Sequence, residues 1–204
     1  MNIEGKRERT KATNRAAILA SARQTFLKFG YDATAVRDIV RGTGLAAGTF
    51  YNYFPDKEAV FRAIIGDYLE KLSTRISKKR QRASDLKSFI RPAYSLFFNA
   101  IIADPEAYEL TKRNEDVLRQ MYDSSFMDVV SLSLHADIQW AIDRKILPPL
   151  KSEMLTAAFI GVAYELGQQM LRQNLEPEYV AEFASNLFMG GLMLPVSQSS
   201  GDSH

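Results

Sequence analysis

The sequence predicts an all-α fold, with a small basic head joined to a larger helical body. Three observations carry that prediction. Apolar residues recur at helical spacing along the whole chain, the breaks between apolar runs fall at Gly or Pro, and no alternating Val/Ile/Thr run bounded by turn residues announces a strand. Of 204 residues 46% are hydrophobic, including 12 Phe and 9 Tyr, so a substantial core can be buried.

The elements follow in order. Ile18, Ala22 and Phe26 recur four apart and, with Leu19, predict a first helix from about Thr13 to Phe29, stopped by Gly30. Thr34 is placed to cap a short second helix whose inner face carries Val36, Ile39 and Val40. Gly42-Thr43-Gly44 forms a tight turn, and a third short helix is predicted over Ala46 to Tyr53. Its entry has Leu45 before the cap and Phe50 at the fourth helical position, a hydrophobic staple. Asp56 caps a long fourth helix, roughly Lys57 to Arg80, with Val60, Phe61, Ile64, Ile65, Tyr68 and Leu72 on one side. Further helices are expected at about 84–103, 105–121, 122–146, 151–173 and 177–193, divided at Asp104-Pro105, Pro148-Pro149 and Glu176-Pro177.

Charge is distributed unevenly. Residues 1–82 hold 17 Lys and Arg against 8 Asp and Glu; residues 83–204 hold 9 against 16. A basic head on an acidic body fits a head that meets a polyanion. The run Lys78, Lys79, Arg80, Arg82, taken alone, reads as a solvated face. Cysteine is absent, which excludes disulfides, thiolate metal sites and a Cys nucleophile together. One internal histidine, His135, has Asp128 and Asp137 nearby, but this spacing does not establish a metal or catalytic site. No Gly-rich phosphate loop exists, so an enzyme lacks its usual parts, and no cofactor or metal is expected. The charged Met1–Arg9 segment is unlike a signal peptide, and no stretch reaches membrane-spanning length. A soluble, cytoplasmic protein is expected.

Three short helices, a glycine turn before the third and a basic flank together describe a helix-turn-helix. Phe50 and Phe54, four apart with Tyr53 near them, direct one face of the third helix inward. Gly48 and Asn52 then point outward, flanked by Ala47, Thr49 and Tyr51, a shallow hydrogen-bonding surface suited to a major groove. Asn52 can pair with an adenine edge, and the methyls of Ala47 and Thr49 can touch a thymine methyl. Tyr51 and Tyr53 carry hydroxyls for phosphate oxygens, and Lys57 falls at a helix start where an anion is favoured. Thr34, with Arg37 one turn on, offers a similar arrangement.

The run from Thr34 through Arg37, Gly44, Gly48, Thr49, Tyr51, Tyr53 and Phe54 to Lys57 and Glu58, preceded by Phe29-Gly30-Tyr31, resembles the TetR family signature. The resemblance implies DNA contacts by Thr34, Ala47, Gly48, Thr49, Tyr51, Tyr53 and Lys57. It departs at Ala46, where the family commonly has Ser or Thr; alanine cannot cap the freed N–H groups, at a typical cost of about 1 kcal/mol. The domain reading is a DNA-binding head over 1–56, a ligand-binding and dimerisation body over 57–195, and a Ser-rich disordered tail over 196–204.

In the body, 151–173 carries two apolar stripes. One is Leu155, Phe159, Val162, Leu166 and Met170; the other is Ile160, Gly161, Tyr164, Gly167 and Leu171. The stripe of 177–193 is Val180, Phe183, Ala184, Leu187, Phe188 and Gly191. A helix apolar on two sides must bury both, and the resemblance implies a homodimer through these segments, matching a palindromic operator in double-stranded DNA. It also implies an inducer cavity. Candidate ligand-contacting residues are Tyr94, Phe97, Phe98, Arg113, Asn114, Tyr122, Phe126, Trp140, Phe159 and Glu165, with His135 and Gln139 as further polar anchors. Apolar walls select a small hydrophobic or aromatic ligand, and Arg113 could hold a carboxylate on it.

Overall fold

A computed structural model describes the backbone of residues 3–114, 116–117 and 126–192, and the side chains of these except 3–4 and 126–130. Tyr122 and the tail from Val196 lie outside the described residues, as does the side chain of Phe126. Among the described residues all regular structure is helical: α1 (Ile3–Phe29), α2 (Val36–Arg41), α3 (Ala47–Tyr51), α4 (Lys57–Arg80), α5 (Leu86–Ala103), α6 (Pro105–Arg113), α7 (Phe126–Asp143), α8 (Ser152–Gln173) and α9 (Pro177–Leu192). No described helix is long and apolar enough to cross a membrane.

α1 starts ten residues before the expected Thr13. The added residues carry no apolar stripe, so periodicity cannot see them. Lys, Arg, Glu and Ala are nonetheless good helix formers, and the hydroxyls of Thr10 and Thr13 donate to the carbonyls of Lys6 and Arg9. α1 ends at Gly30, whose φ of 79° closes the last turn. The Asp56 carboxylate accepts from the Ala59 N–H at 2.7 Å and so caps α4. Asp85 and Ser88 cap the start of α5 reciprocally.

Two compact units divide the chain: Met1–Lys71 with Asp104–Val129, and Leu72–Ala103 with Val130–His204. The first unit therefore runs past the expected boundary at residue 56 and takes in α6. Its core joins Ile18, Ala22 and Phe26 of α1, Ile39 and Val40 of α2, Phe50, Phe54, Val60, Phe61 and Ile65 to Leu110 of α6. Phe26 meets Phe61 edge-on at 5.1 Å between ring centroids, and Tyr31 lies 5.0 Å from Phe61.

Polar contacts also fasten α6 to α1. Arg23 is bonded to both carboxylate oxygens of Asp104, and its Nε donates to Glu106 at 3.1 Å. Asp104 is at the same time the α6 N-cap, accepting from the Ala107 N–H at 3.1 Å. Burial raises the Asp104 pKa, but the hydrogen bonds from Arg23 and Ala107 and the Arg23 charge outweigh it and hold the carboxyl below its ordinary value. A depressed carboxyl stabilises the fold above its unfolded value of about 3.9, and that contribution fades as pH falls through the folded value. Both side chains are partly exposed, so solvent screening leaves about 1 kcal/mol or less. Asp104→Asn should flatten the acid limb of a plot of unfolding free energy against pH by this amount, measured by urea titration. An acid limb identical to the wild type would remove Asp104 from the account.

In the second unit the aromatic face of α5 packs on α8 and α9. Phe89, Ile90, Ala93, Tyr94, Phe98 and Ile101 are buried on α5, facing Leu155, Phe159 and Met170 of α8 and Val180, Ala181 and Ala184 of α9. Small residues on the buried side of α9 make room for the α5 rings.

Candidate nucleic-acid interface and ligand site

α3 is five residues long, far too short to persist unaided, and Phe50 is its one buried side chain. The Phe50 ring is fully buried, edge-on to Tyr51 at 5.3 Å and 6.2 Å from Phe54. The opposite side is open. Ala47, Gly48, Tyr51 and Asn52 are exposed, with Tyr51 at 58%, and Thr49 and Tyr53 are half-buried. A Cβ on Gly48 would meet nothing within 4 Å, so the fold itself does not require glycine there. Ala46 is the N-cap residue and makes no side-chain cap bond, as its chemistry dictates.

The turn before α3 is set by two different glycines. Gly44 holds φ at 69°, a conformation costly for other residues. Gly42 has an ordinary φ of −75°, but a Cβ on it would lie 2.2 Å from the Ser21 hydroxyl, which donates to the Ile39 carbonyl at 2.6 Å. Gly42 is thus a close-approach residue, and only Gly44 supplies the positive φ expected of the turn. Gly42→Ala should cost about 1–3 kcal/mol, and Ser21→Ala added to it should recover part of that loss. Thermal unfolding of both variants checks this, and a neutral Gly42→Ala would refute it.

Two residues of the expected contact set are engaged inward. Thr34 is buried and its hydroxyl donates to the Gly30 carbonyl at 2.7 Å. It does not cap α2; the N-cap is Ala35, and the Asp38 carboxylate accepts the Ala35 N–H at 3.1 Å. The Lys57 ammonium donates to the carbonyls of Tyr31, Asp32 and Thr34 at 2.8, 3.2 and 3.1 Å, and it sits over the Tyr31 ring at 4.3 Å. These bonds employ all three of its protons. Arg37 is exposed.

Residues 18–64, the segment that builds this head, match the family model of bacterial regulatory proteins of the tetR family. Over that segment the chain is similar to the TetR family. The HTH-type transcriptional repressor ComR of Escherichia coli is 36% identical over 73 residues, 36% of this chain and 35% of ComR. The HTH-type transcriptional regulator EthR of Mycolicibacterium smegmatis is 31% identical over 91 residues, 44% of this chain and 42% of EthR. The chain thus matches well under half the length of these curated relatives, both of them transcriptional regulators. Likeness of fold reaches further. A TetR-family regulator from Syntrophomonas wolfei superposes with a TM-score of 0.74 at 18% identity, over 91% of this chain and 99% of that one. The regulator FadR from Bacillus subtilis, in complex with stearoyl-CoA, gives 0.66 at 17% identity, over 86% and 98%.

Of the residues that the TetR resemblance placed in a ligand cavity, four fall in one aromatic cluster of the second unit. Tyr94 stacks on Phe98 at 5.8 Å, lies 6.2 Å from Phe159 and 6.1 Å from Phe188, and Phe97 meets Phe98 edge-on at 5.4 Å. The Tyr94 hydroxyl donates to the Phe159 carbonyl at 3.1 Å, and burial pushes that phenol's pKa well up. Phe188, absent from the expected set, closes on Phe159 at 4.3 Å. Trp140 is half-buried under the Arg144 guanidinium at 4.5 Å; Glu165 is exposed, and exposed Gln139 donates to Asp143.

Arg113 and Asn114 belong elsewhere. Both lie in the first unit, where Arg113 donates to the Leu27 carbonyl at 2.6 Å and Asn114 accepts from the Tyr31 N–H at 3.2 Å. They hold α6 against the head instead of joining the aromatic cluster. The inward-turned charge in the second unit is one that reading by charge run missed. Lys78, Lys79 and Arg82 are exposed, but Arg80 is turned inward over the Phe89 ring at 5.6 Å, its side chain 14% exposed, and lies 3.7 Å from Asp137. Arg80 continues the spacing of Leu72 and Ile76, four residues apart, and that period was the available signal.

Proposed function

We propose that this chain is a cytoplasmic, ligand-responsive transcriptional repressor: a homodimer that binds a palindromic operator through α3 and is released by a small hydrophobic or aromatic ligand. One observation carries the DNA half of this reading. The open side of α3 presents small and hydrogen-bonding residues over a fully buried Phe50, and at Gly48 the glycine has no structural duty. Such a surface enters a major groove without obstruction.

The exposed apolar residues support the dimer. Tyr179, Phe183 and Leu187 stand 63%, 53% and 53% exposed at four-residue spacing on α9, and Met154 and Leu171 are exposed on α8. The expected stripe on α9 splits: Val180 and Ala184 are buried within the subunit, leaving the other side for a second copy. On α8, Gly167 is buried, which takes it out of that outer face. The ring cluster of Tyr94, Phe97, Phe98 and Phe159 offers apolar walls for the ligand, and the stearoyl-CoA held by the fold relative from Bacillus subtilis is consistent with an extended apolar one. A ligand that favours another arrangement of the body shifts the population away from the DNA-competent form by its differential affinity.

Selection of duplexes from a random library by the full chain tests the reading. The expected outcome is a two-fold symmetric sequence preference, and Asn52→Ala should relax it at one base pair per half-site, with about 1–3 kcal/mol less discrimination there. A wild-type chain that binds every duplex equally would make it a non-specific architectural protein instead.

A further inference from the structure

We propose that the N-terminal extension of α1 and the end of α3 form a second DNA-contacting site, a basic cleft that grips the sugar–phosphate backbone beside the groove α3 enters. The proposal rests on the DNA-binding reading above and adds residues to it. The cleft has a volume of about 870 Å³. One wall is α1, with Lys6, Arg7, Thr10 and Lys11; the other is Asn52 and Tyr53. Positions 6, 7, 10 and 11 share one helical face, so three cations aim into the same space. Glu8 is the one acid in the lining, and among the described residues no carboxylate pairs with Lys6, Arg7 or Lys11.

The chemistry favours a phosphodiester over a compact organic ligand. Small-molecule sites are enclosed, whereas this cleft is open, and the polar groups on its walls are chiefly ammonium, guanidinium, hydroxyl, amide and phenol. Gly5 to Thr13 are exposed throughout and carry no apolar stripe, so burial within the subunit does not explain why the helix extends that far. Those nine residues reach about 13 Å, the rise along the duplex axis of about four phosphates of one strand. Asn52 borders both the cleft and the outer face of α3, so a backbone held in the cleft continues directly from the surface that reads bases.

The test compares three full-length proteins: wild type, Lys6→Ala/Arg7→Ala/Lys11→Ala, and Arg9→Ala, whose side chain leaves the opposite side of α1. Each is titrated by fluorescence anisotropy against the duplex that wild type selects and against an unrelated duplex, between about 50 and 200 mM KCl. The triple variant should bind both duplexes at least about tenfold more weakly, with a slope of log affinity on log salt shallower by about 2–3, and should keep the wild-type sequence preference. Arg9→Ala should shift the slope by less than about 1. Alanine keeps the helix, and the replaced side chains are exposed, so the melting temperature should match wild type. A wild-type slope in the triple variant overturns the cleft and leaves the DNA-binding reading standing, as does an altered sequence preference, which would mean that the extension positions α3. A wild-type chain that binds neither duplex overturns both.

Discussion

Phe50→Ala should cost the head about 3–5 kcal/mol of stability and abolish sequence-selective DNA binding. The ring is fully buried at the junction of the α1, α2 and α4 side chains, so truncation leaves a cavity among Ile18, Phe54 and their neighbours. The consequence for α3 is larger than for an ordinary core position. A five-residue helix has almost no intrinsic persistence, and α3 has no side-chain N-cap bond and no second buried residue. Losing Phe50 therefore removes what fixes the angle of the open face. Phe50→Leu, which keeps most of the apolar volume, should lose much less stability and retain weak selective binding. Urea unfolding followed by circular dichroism, together with titration against the selected duplex, reads both effects. Wild-type stability and affinity in Phe50→Ala would mean that α3 is held by something other than its aromatic anchor.

The parts of the fold that were legible in the sequence are those where local chemistry is decisive. Gly30 and Asp56 ended and began helices where expected, and α4 has the predicted bounds, because a positive φ and an N-cap carboxylate act within a few residues. The inward turn of Phe50 and Phe54 followed from four-residue spacing alone. What escaped required knowledge of partners distant in sequence. Gly42 needs to be glycine because of Ser21, and Arg113 and Asn114 are spoken for by Leu27 and Tyr31, all contacts that no local pattern announces. The start of α1 was invisible for the opposite reason: Gly5 to Ala12 are exposed and bury no face in the core, so they leave no period to read. Arg80 was hidden in a charge run, although its register with Leu72 and Ile76 placed it on the buried side of α4.

That inward-turned arginine sets up the second large effect. Asp137→Ala should destabilise the second unit by up to about 3–5 kcal/mol, because it leaves a largely shielded guanidinium without its counter-charge. Burial pulls the Arg80 pKa down, to about 10, against the raising influence of Asp137, so the side chain remains charged at neutral pH. The pair is not an optimised one. Arg80 Nη1 lies 3.7 Å from the Asp137 carboxylate, and both the Arg80 Nε and one Asp137 oxygen lack a hydrogen-bond partner, while the other oxygen accepts from the Ser77 hydroxyl at 2.8 Å. An ion pair of that geometry barely repays its desolvation, whereas half of it is far worse than none. Arg80→Met/Asp137→Leu should therefore be close to wild type or more stable, and Asp137→Asn, which keeps an acceptor for Ser77, should fall between. Urea midpoints for the four proteins settle the order. A double variant less stable than Asp137→Ala would show that the charges contribute net stability, and the physical picture of a tolerated, costly pair would have to be abandoned.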